Sequence, residues 1–219
     1  MKRLCIAVSV MLASCASDPT IQTIPEAWKL PASVEGEKCP DISGCYMNSG
    51  EDTDGKSAIS LDHQWFFGYG EYDKYFIPPY PYLLVSQTLL RQEEMNQLEI
   101  VGMSDSGTTK LKRLLKKESG DFSCQDGWLR VAGSYQSGGG GLIQWNNVIK
   151  SFAKADGYLI EKVEYNYSGF AVIIPFSGYG TRWYRFSPVE GRGDEAPQFT
   201  KCAPDREGAN PAVHTDAVR

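Results

Sequence analysis

The sequence predicts a mainly β fold: a single antiparallel β-meander domain forming a curled sheet, a small barrel or a sandwich. Two observations carry that prediction. Through the middle of the chain apolar residues recur with a period of two, the spacing of strands buried on one face. Short turn sequences rich in glycine, aspartate and serine separate those runs, as successive hairpins require.

The first residues stand apart from that pattern. Met1-Lys2-Arg3 precedes an apolar run over residues 4–12 and then Ala13-Ser14-Cys15, the layout of an export signal. The run is too short to span a bilayer, which takes about 20 apolar residues. Leu12-Ala13-Ser14-Cys15 resembles the lipobox of bacterial lipoproteins. The resemblance implies a signal peptide over residues 1–14, cleavage before Cys15, and lipid on the Cys15 thiol and new amine. Several acyl chains together hold a protein on a membrane essentially permanently. Ala16 follows the cysteine, and by resemblance to enterobacterial sorting this implies the outer membrane, with the domain facing the periplasm. Residues 15–38, rich in Ser, Pro, Thr and Glu, read as the lipidated cysteine and a flexible tether.

The β-rich domain is expected over residues 39–187. Residues 56–67 fit either a strand or a short helix, and residues 82–97 carry the same ambiguity. Residues 97–103 and 109–115 flank Ser104-Asp105-Ser106-Gly107, whose composition is that of a hairpin turn. In Trp128-Leu129-Arg130-Val131-Ala132, Leu129 and Val131 share one face and Arg130 takes the other. Residues 137–141 form a glycine-rich reversal, and Asp156-Gly157 is a hairpin signal. Over 158–167, Leu159, Val163 and Tyr165 lie together while Glu161 breaks their apolar face. Residues 169–176 are apolar on both faces, as a doubly covered central strand would be. Ser177-Gly178-Tyr179-Gly180 is expected to break the chain before a last strand over 181–186. Residues 188–219, with no apolar pattern, read as a mobile tail.

Once the signal peptide is removed, 20 basic residues face 27 acidic ones. Nucleic acid and anionic lipid headgroups call for a clustered cationic surface, so no nucleic-acid partner is expected. With Cys5 removed and Cys15 lipidated, Cys39, Cys45, Cys124 and Cys202 remain. An even count in an exported chain reads as two disulfides, with three possible pairings. No metal site is expected, since His63 and His214 are the only histidines and no Cys-x2-Cys pair occurs.

Cys39-Pro40-Asp41-Ile42-Ser43-Gly44-Cys45-Tyr46, following a lipobox, resembles the opening of a group of proteobacterial lipoproteins with a CPD-[IL]-SG-x-Y motif. Cys124-Gln125-Asp126-Gly127, Asp156-Gly157-Tyr158-Leu159, Gly169 with Ile174-Pro175, and Trp183-Tyr184-Arg185-Phe186 match that group's later pieces. The likeness spans residues 39–186. It brings no activity, substrate or catalytic residue. Cys45 departs from the group's pattern, which implies Cys39 with Cys124 as the shared disulfide and Cys45 with Cys202 as an addition.

No catalytic residue stands out. The chain has no Gly-x-Ser-x-Gly elbow. Asp62 beside His63 is the nearest approach to an oriented base, and a structural histidine is the better reading. Asp52-Thr53-Asp54-Gly55 begins like a calcium loop but lacks the closing glutamate. The glycines at 138–141 lack the Lys-Ser or Lys-Thr of a phosphate loop. Arg192-Gly193-Asp194 matches an integrin-binding tripeptide, a match that arises often by chance. The unusual stretch is 65–82, with Trp65, Tyr69, Tyr72, Tyr75 and Tyr80 among its aromatic residues and three prolines near its end. Rings with hydrogen-bonding tips suit contacts with sugars, proteins or membrane interfaces, so these five are the candidate binding surface. The better reading is a loop packing its rings over the end of the sheet.

The function expected is a membrane-anchored, non-enzymatic envelope module that needs no cofactor and contacts an envelope protein or glycan. The alternatives are a lipocalin-like carrier of a small apolar ligand and an envelope hydrolase.

Overall fold

The computed structural model describes residues 20–30, 36, 38–66, 85–93 and 95–189. The described chain opens with β1 (Thr20–Ile21), β2 (Gly44–Met47), β3 (Ser49–Asp52), β4 (Ser57–Ser60) and α1 (Leu61–Phe66). There follow β5 (Gln87–Glu93), β6 (Gln97–Met103), β7 (Thr109–Lys116) and β8 (Ser123–Gln125). Four long strands complete it: β9 (Trp128–Gly139), β10 (Leu142–Ala155), β11 (Tyr158–Ala171) and β12 (Ile174–Phe186).

The strands form two sheets that do not close into a barrel. The larger runs β4-β3-β12-β11-β10-β9-β8, and the smaller runs β2-β5-β6-β7. All pairings are antiparallel except that of β1, which lies parallel to β12 with Thr20 opposite Gly180. Apolar side chains from both sheets meet in one core. Leu90, Leu98, Ile100 and Leu115 come from the small sheet; Leu129, Phe152, Leu159 and Phe186 come from the large one. The expected meander is therefore a two-sheet sandwich over its core. Residues 56–67 contain both a strand and a helical turn.

Turn chemistry explains most of the hairpins. Asp156 and Gly157 adopt φ of 49° and 83° between β10 and β11, and a two-residue turn with both φ positive follows the twist of its strands. Asp126 and Gly127 do the same between β8 and β9, at 54° and 79°. The expected break at 177–180 does not occur: β12 runs straight through it. The reversal lies instead at Val172-Ile173, with Val172 at φ 59°. Residues 169–176 accordingly form a hairpin end, and Val172 and Ile173 are 78% and 83% exposed rather than doubly covered. The neighbouring Gly169 is needed where it stands, because a Cβ there would run into the Ile143 carbonyl.

Within the segment expected as a tether, residues 20–22 and Trp28 contact β12. The Gln22 amide donates to the Thr181 carbonyl at 3.1 Å. The Trp183 indole donates to the Gln22 carbonyl at 3.2 Å, and Trp28 is buried with the Arg185 guanidinium over its ring. At the other end Val189, inside the expected tail, donates its amide to the Cys45 carbonyl at 2.9 Å.

Asn48 is the point at which the chain leaves the small sheet (β2) for the large one (β3). Its side-chain amide donates to Asp62 at 2.8 Å and to the Val85 carbonyl at 3.0 Å. Its side-chain oxygen accepts from the Asp62 amide at 2.7 Å and the Thr88 hydroxyl at 3.2 Å. Its backbone donates to Ser86 and accepts from Leu61. A second tie between the sheets is the disulfide from Cys39, just before β2, to Cys124 on β8.

Asn48→Ala leaves Asp62 and Thr88 buried without those partners, so it should cost about 3 kcal/mol in urea unfolding. Serine at both Cys39 and Cys124 should cost about 2–5 kcal/mol in the same measurement. Peptide mapping without reductant should recover the Cys39–Cys124 pair.

Candidate functional site

The four long strands reach past the core, and their inner face changes character along its length. Alternation places Leu129, Phe152, Leu159 and Phe186 on that face at one end. Farther along come Val148 and Val163, and then tyrosines and amides. Here the face holds a cleft of about 440 Å³ lined by Tyr135, Gln144, Asn146, Tyr165, Tyr167 and Arg182, with Val148, Val163 and Tyr184 at its inner end. This volume lies within the range of small-ligand sites, about 300–1,000 Å³.

The cleft's polar groups are held in place by one another. Gln144 donates to the Asn146 side-chain oxygen at 2.5 Å, and Asn146 donates to the Ser137 hydroxyl at 3.2 Å. Tyr165 and Tyr167 stack with ring centres 6.4 Å apart. The Arg182 guanidinium sits 5.7 Å from the Tyr165 ring centre, close enough for a cation–π contact. The adjacent Tyr184 hydroxyl holds the Arg182 pKa above its ordinary value, and burial raises that of Tyr184.

Beneath the cleft lies a buried ionisable pair. Lys150 is two residues from Val148 on β10, and Glu161 is two residues from Val163 on β11. Both are buried, Glu161 completely. The Lys150 ammonium donates to the Gln64 carbonyl at 2.8 Å, while neither Glu161 oxygen accepts a hydrogen bond among the described residues. Burial raises the Glu161 pKa, opposed by the charge of Lys150. Burial lowers that of Lys150, opposed by the charge of Glu161. Glu161, the residue that interrupts the apolar alternation of β11, is thus a core carboxyl.

The expected site residues fare differently. Trp65 is not part of a binding surface: it is 2% exposed and stacks on Phe152 with centroids 4.0 Å apart. Its large apolar ring is spent in the core, at the end of α1. Tyr69, Tyr72, Tyr75 and Tyr80 lie outside the described residues, as do Cys15, Cys202 and His214. Cys39 and Cys124 are joined, and Cys45 on β2 is disulfide-bonded as well. The Asp62 carboxylate is directed to Asn48 and Ser60. Among the described residues no group of three or more His, Cys, Asp or Glu side chains could hold a metal ion, and no helix is long and apolar enough to cross a membrane.

None of the site residues expected from the sequence lines this cleft. Its sequence signal is the alternation Val163, Tyr165, Tyr167, which reads as an ordinary half-buried strand until β10 and β12 are set beside it. No family model matches the chain, and no curated protein or solved structure matches it.

The pair predicts a pH dependence. Because the folded-state pKa of Glu161 is raised, the folded chain keeps a proton that the unfolded chain releases above about pH 4.5. This contribution makes stability fall as pH rises from there toward neutrality. Glu161→Gln should flatten that slope in urea midpoints taken across the range. Replacing the pair together, Lys150→Met with Glu161→Leu, should be neutral or stabilising by about 1–4 kcal/mol.

Proposed function

We propose that this chain is an envelope lipoprotein, lipidated on Cys15 at the outer membrane, whose β domain is a non-enzymatic binding module. The observation that carries the binding reading is the cleft on the inner face of β9–β12. Ring faces from Tyr135, Tyr165 and Tyr167 offer stacking surfaces, Gln144 and Asn146 offer amide donors and acceptors, and Arg182 offers a cation. Together these groups suit a hydroxylated ring bearing an acidic group. An acidic saccharide of the envelope, such as a soluble peptidoglycan fragment, fits that description.

The rival readings have less support. A lipocalin-like carrier needs a closed barrel around an apolar cavity, whereas the two sheets stay open and their shared interior is filled by side chains. A glycan hydrolase would want a raised-pKa carboxyl facing its substrate. Glu161 has the raised pKa but does not line the cleft. Membrane attachment rests on Leu12-Ala13-Ser14-Cys15 and the charged and apolar segments before it. A Cys45–Cys202 disulfide would tie the C-terminal segment to β2.

Calorimetric titration with muramic-acid-containing glycan fragments should show binding that Tyr165→Ala with Arg182→Ala weakens at least tenfold while the variant still unfolds in one cooperative transition. Wild-type protein that binds no acidic saccharide would end the ligand assignment. Separately, Cys15→Ser should move the protein from the membrane to the soluble fraction, and persistence with membranes would end the anchor assignment.

A further inference from the structure

The ends of the β9–β10 and β11–β12 hairpins lie side by side, because β10 pairs with β11 along its whole length. Around these ends the chain carries no charge at all. No Asp, Glu, Lys or Arg occurs over residues 131–149 or over 165–181, although charged residues make up 22% of the sequence. Apolar side chains take their place, exposed. Leu142, Ile143 and Trp145 stand on one hairpin; Phe170, Val172, Ile173 and Ile174 stand on the other, all between 39% and 83% exposed. The register sets Ile143 opposite Phe170, and Trp145 meets Phe170 edge-on at 6.4 Å. The most exposed aliphatic residues are thus at the tip, with Trp145 and Tyr179 set back along the strands.

We infer that these two hairpin ends dip into a lipid bilayer, and that the bilayer is the one holding the lipid on Cys15. The inference rests on the lipoprotein reading for that second part. Aliphatic tips backed by Trp and Tyr match the layering of a membrane, whose hydrocarbon edge is apolar and whose interface accommodates amphipathic rings. The absence of cations points to apolar insertion rather than attraction to anionic headgroups.

The direction of β1 supplies an independent argument. It runs parallel to β12, with Thr20 opposite Gly180 and Ile21 opposite Thr181. Lower residue numbers on β1 therefore lead toward the start of β12, which is the hairpin end. From Gly180 back to Ile174 is about 20 Å at the rise of a strand. Cys15 precedes Thr20 by five residues, a reach of at most about 18 Å. An anchor on Cys15 and the apolar tips can therefore meet one membrane without β1 leaving its place beside β12. In that orientation the cleft opens close to the bilayer surface.

Lipidated protein, purified from membranes and reconstituted in phosphatidylcholine vesicles with brominated acyl chains, tests the contact. Tryptophan emission should be quenched, and Trp145→Phe should remove most of that quenching. Val172→Ser, Ile173→Ser and Ile174→Ser together should remove it too, while the protein still floats with the vesicles. Quenching that is absent in the wild type, or equal in all three proteins, overturns the insertion. So does a wild-type dimer that the triple-serine protein loses in sedimentation with no change in quenching, since the tips then meet a second copy. Mass spectrometry of the N-terminal peptide reads the anchor separately. If Cys15 carries no acyl chain, the lipoprotein reading and the shared membrane both fall, while quenching of wild-type protein mixed with the same vesicles still decides whether the tips insert.

Discussion

The two sheets depend on how the chain crosses between them at Asn48. A crossing strand gives up regular pairing for a residue, and its backbone groups must find partners inside the protein. Asn48 finds them in Ser86 and Leu61, and its side chain adds Asp62, Thr88 and the Val85 carbonyl. A side-chain amide is suited to the task because it donates and accepts on one rigid plane. With the crossing fixed, β2 is committed to the small sheet and β3 to the large one. Gly50, two residues on, lets the Phe186 ring close over the chain: a Cβ there would stand 2.5 Å from the ring. The Cys39–Cys124 bond ties the same two layers a second time. The core between them is consequently held from both ends of the β2 region.

Where turn chemistry is strong, the fold is legible in the sequence. The reversals at residues 104–107, 137–141 and 156–157 all carry glycine, and each joins the strands its flanking alternation implies. The Val172-Ile173 reversal is not legible, because neither residue is a turn former. Two β-branched residues in an apolar run read as the middle of a strand, whereas the glycines at 178 and 180 look like a turn but lie inside β12. The seating of residues 20–22 and Trp28 is hidden for a different reason. Their docking depends on Gln22 and Trp28 meeting Trp183 and Arg185 across about 160 residues of sequence, a pairing that no local pattern encodes. The Cys39–Cys124 disulfide is implied by the resemblance of residues 39–46 to a lipoprotein opening, and the structure joins the same two cysteines.

The candidate site shows the same division. Glu161 is visible in sequence as a flaw in an apolar face, and the flaw marks where core gives way to cleft. Past it, strand alternation continues but delivers tyrosines and amides in place of valine and leucine. The aromatic stretch at 65–82 drew attention because its rings are concentrated, whereas the cleft's rings come from three strands, one or two at a time. Concentration along the chain and convergence in space are different properties, and only the second makes a site. Trp65 illustrates the gap: the ring at the head of the richest aromatic run is a core residue.

The seat of β1 on β12 has a consequence for how this protein can be shortened. β3 covers one part of that edge of β12, opposite Tyr184 and Arg185, and β1 covers Gly180 and Thr181. A chain cut back to Cys39, the start suggested by composition, would strip the second cover and leave those backbone groups unpaired. Bare strand edges recruit other strands, so the shortened domain would tend to self-associate through β12 even with its core intact. The residues that look like a leash are also the guard on an open seam.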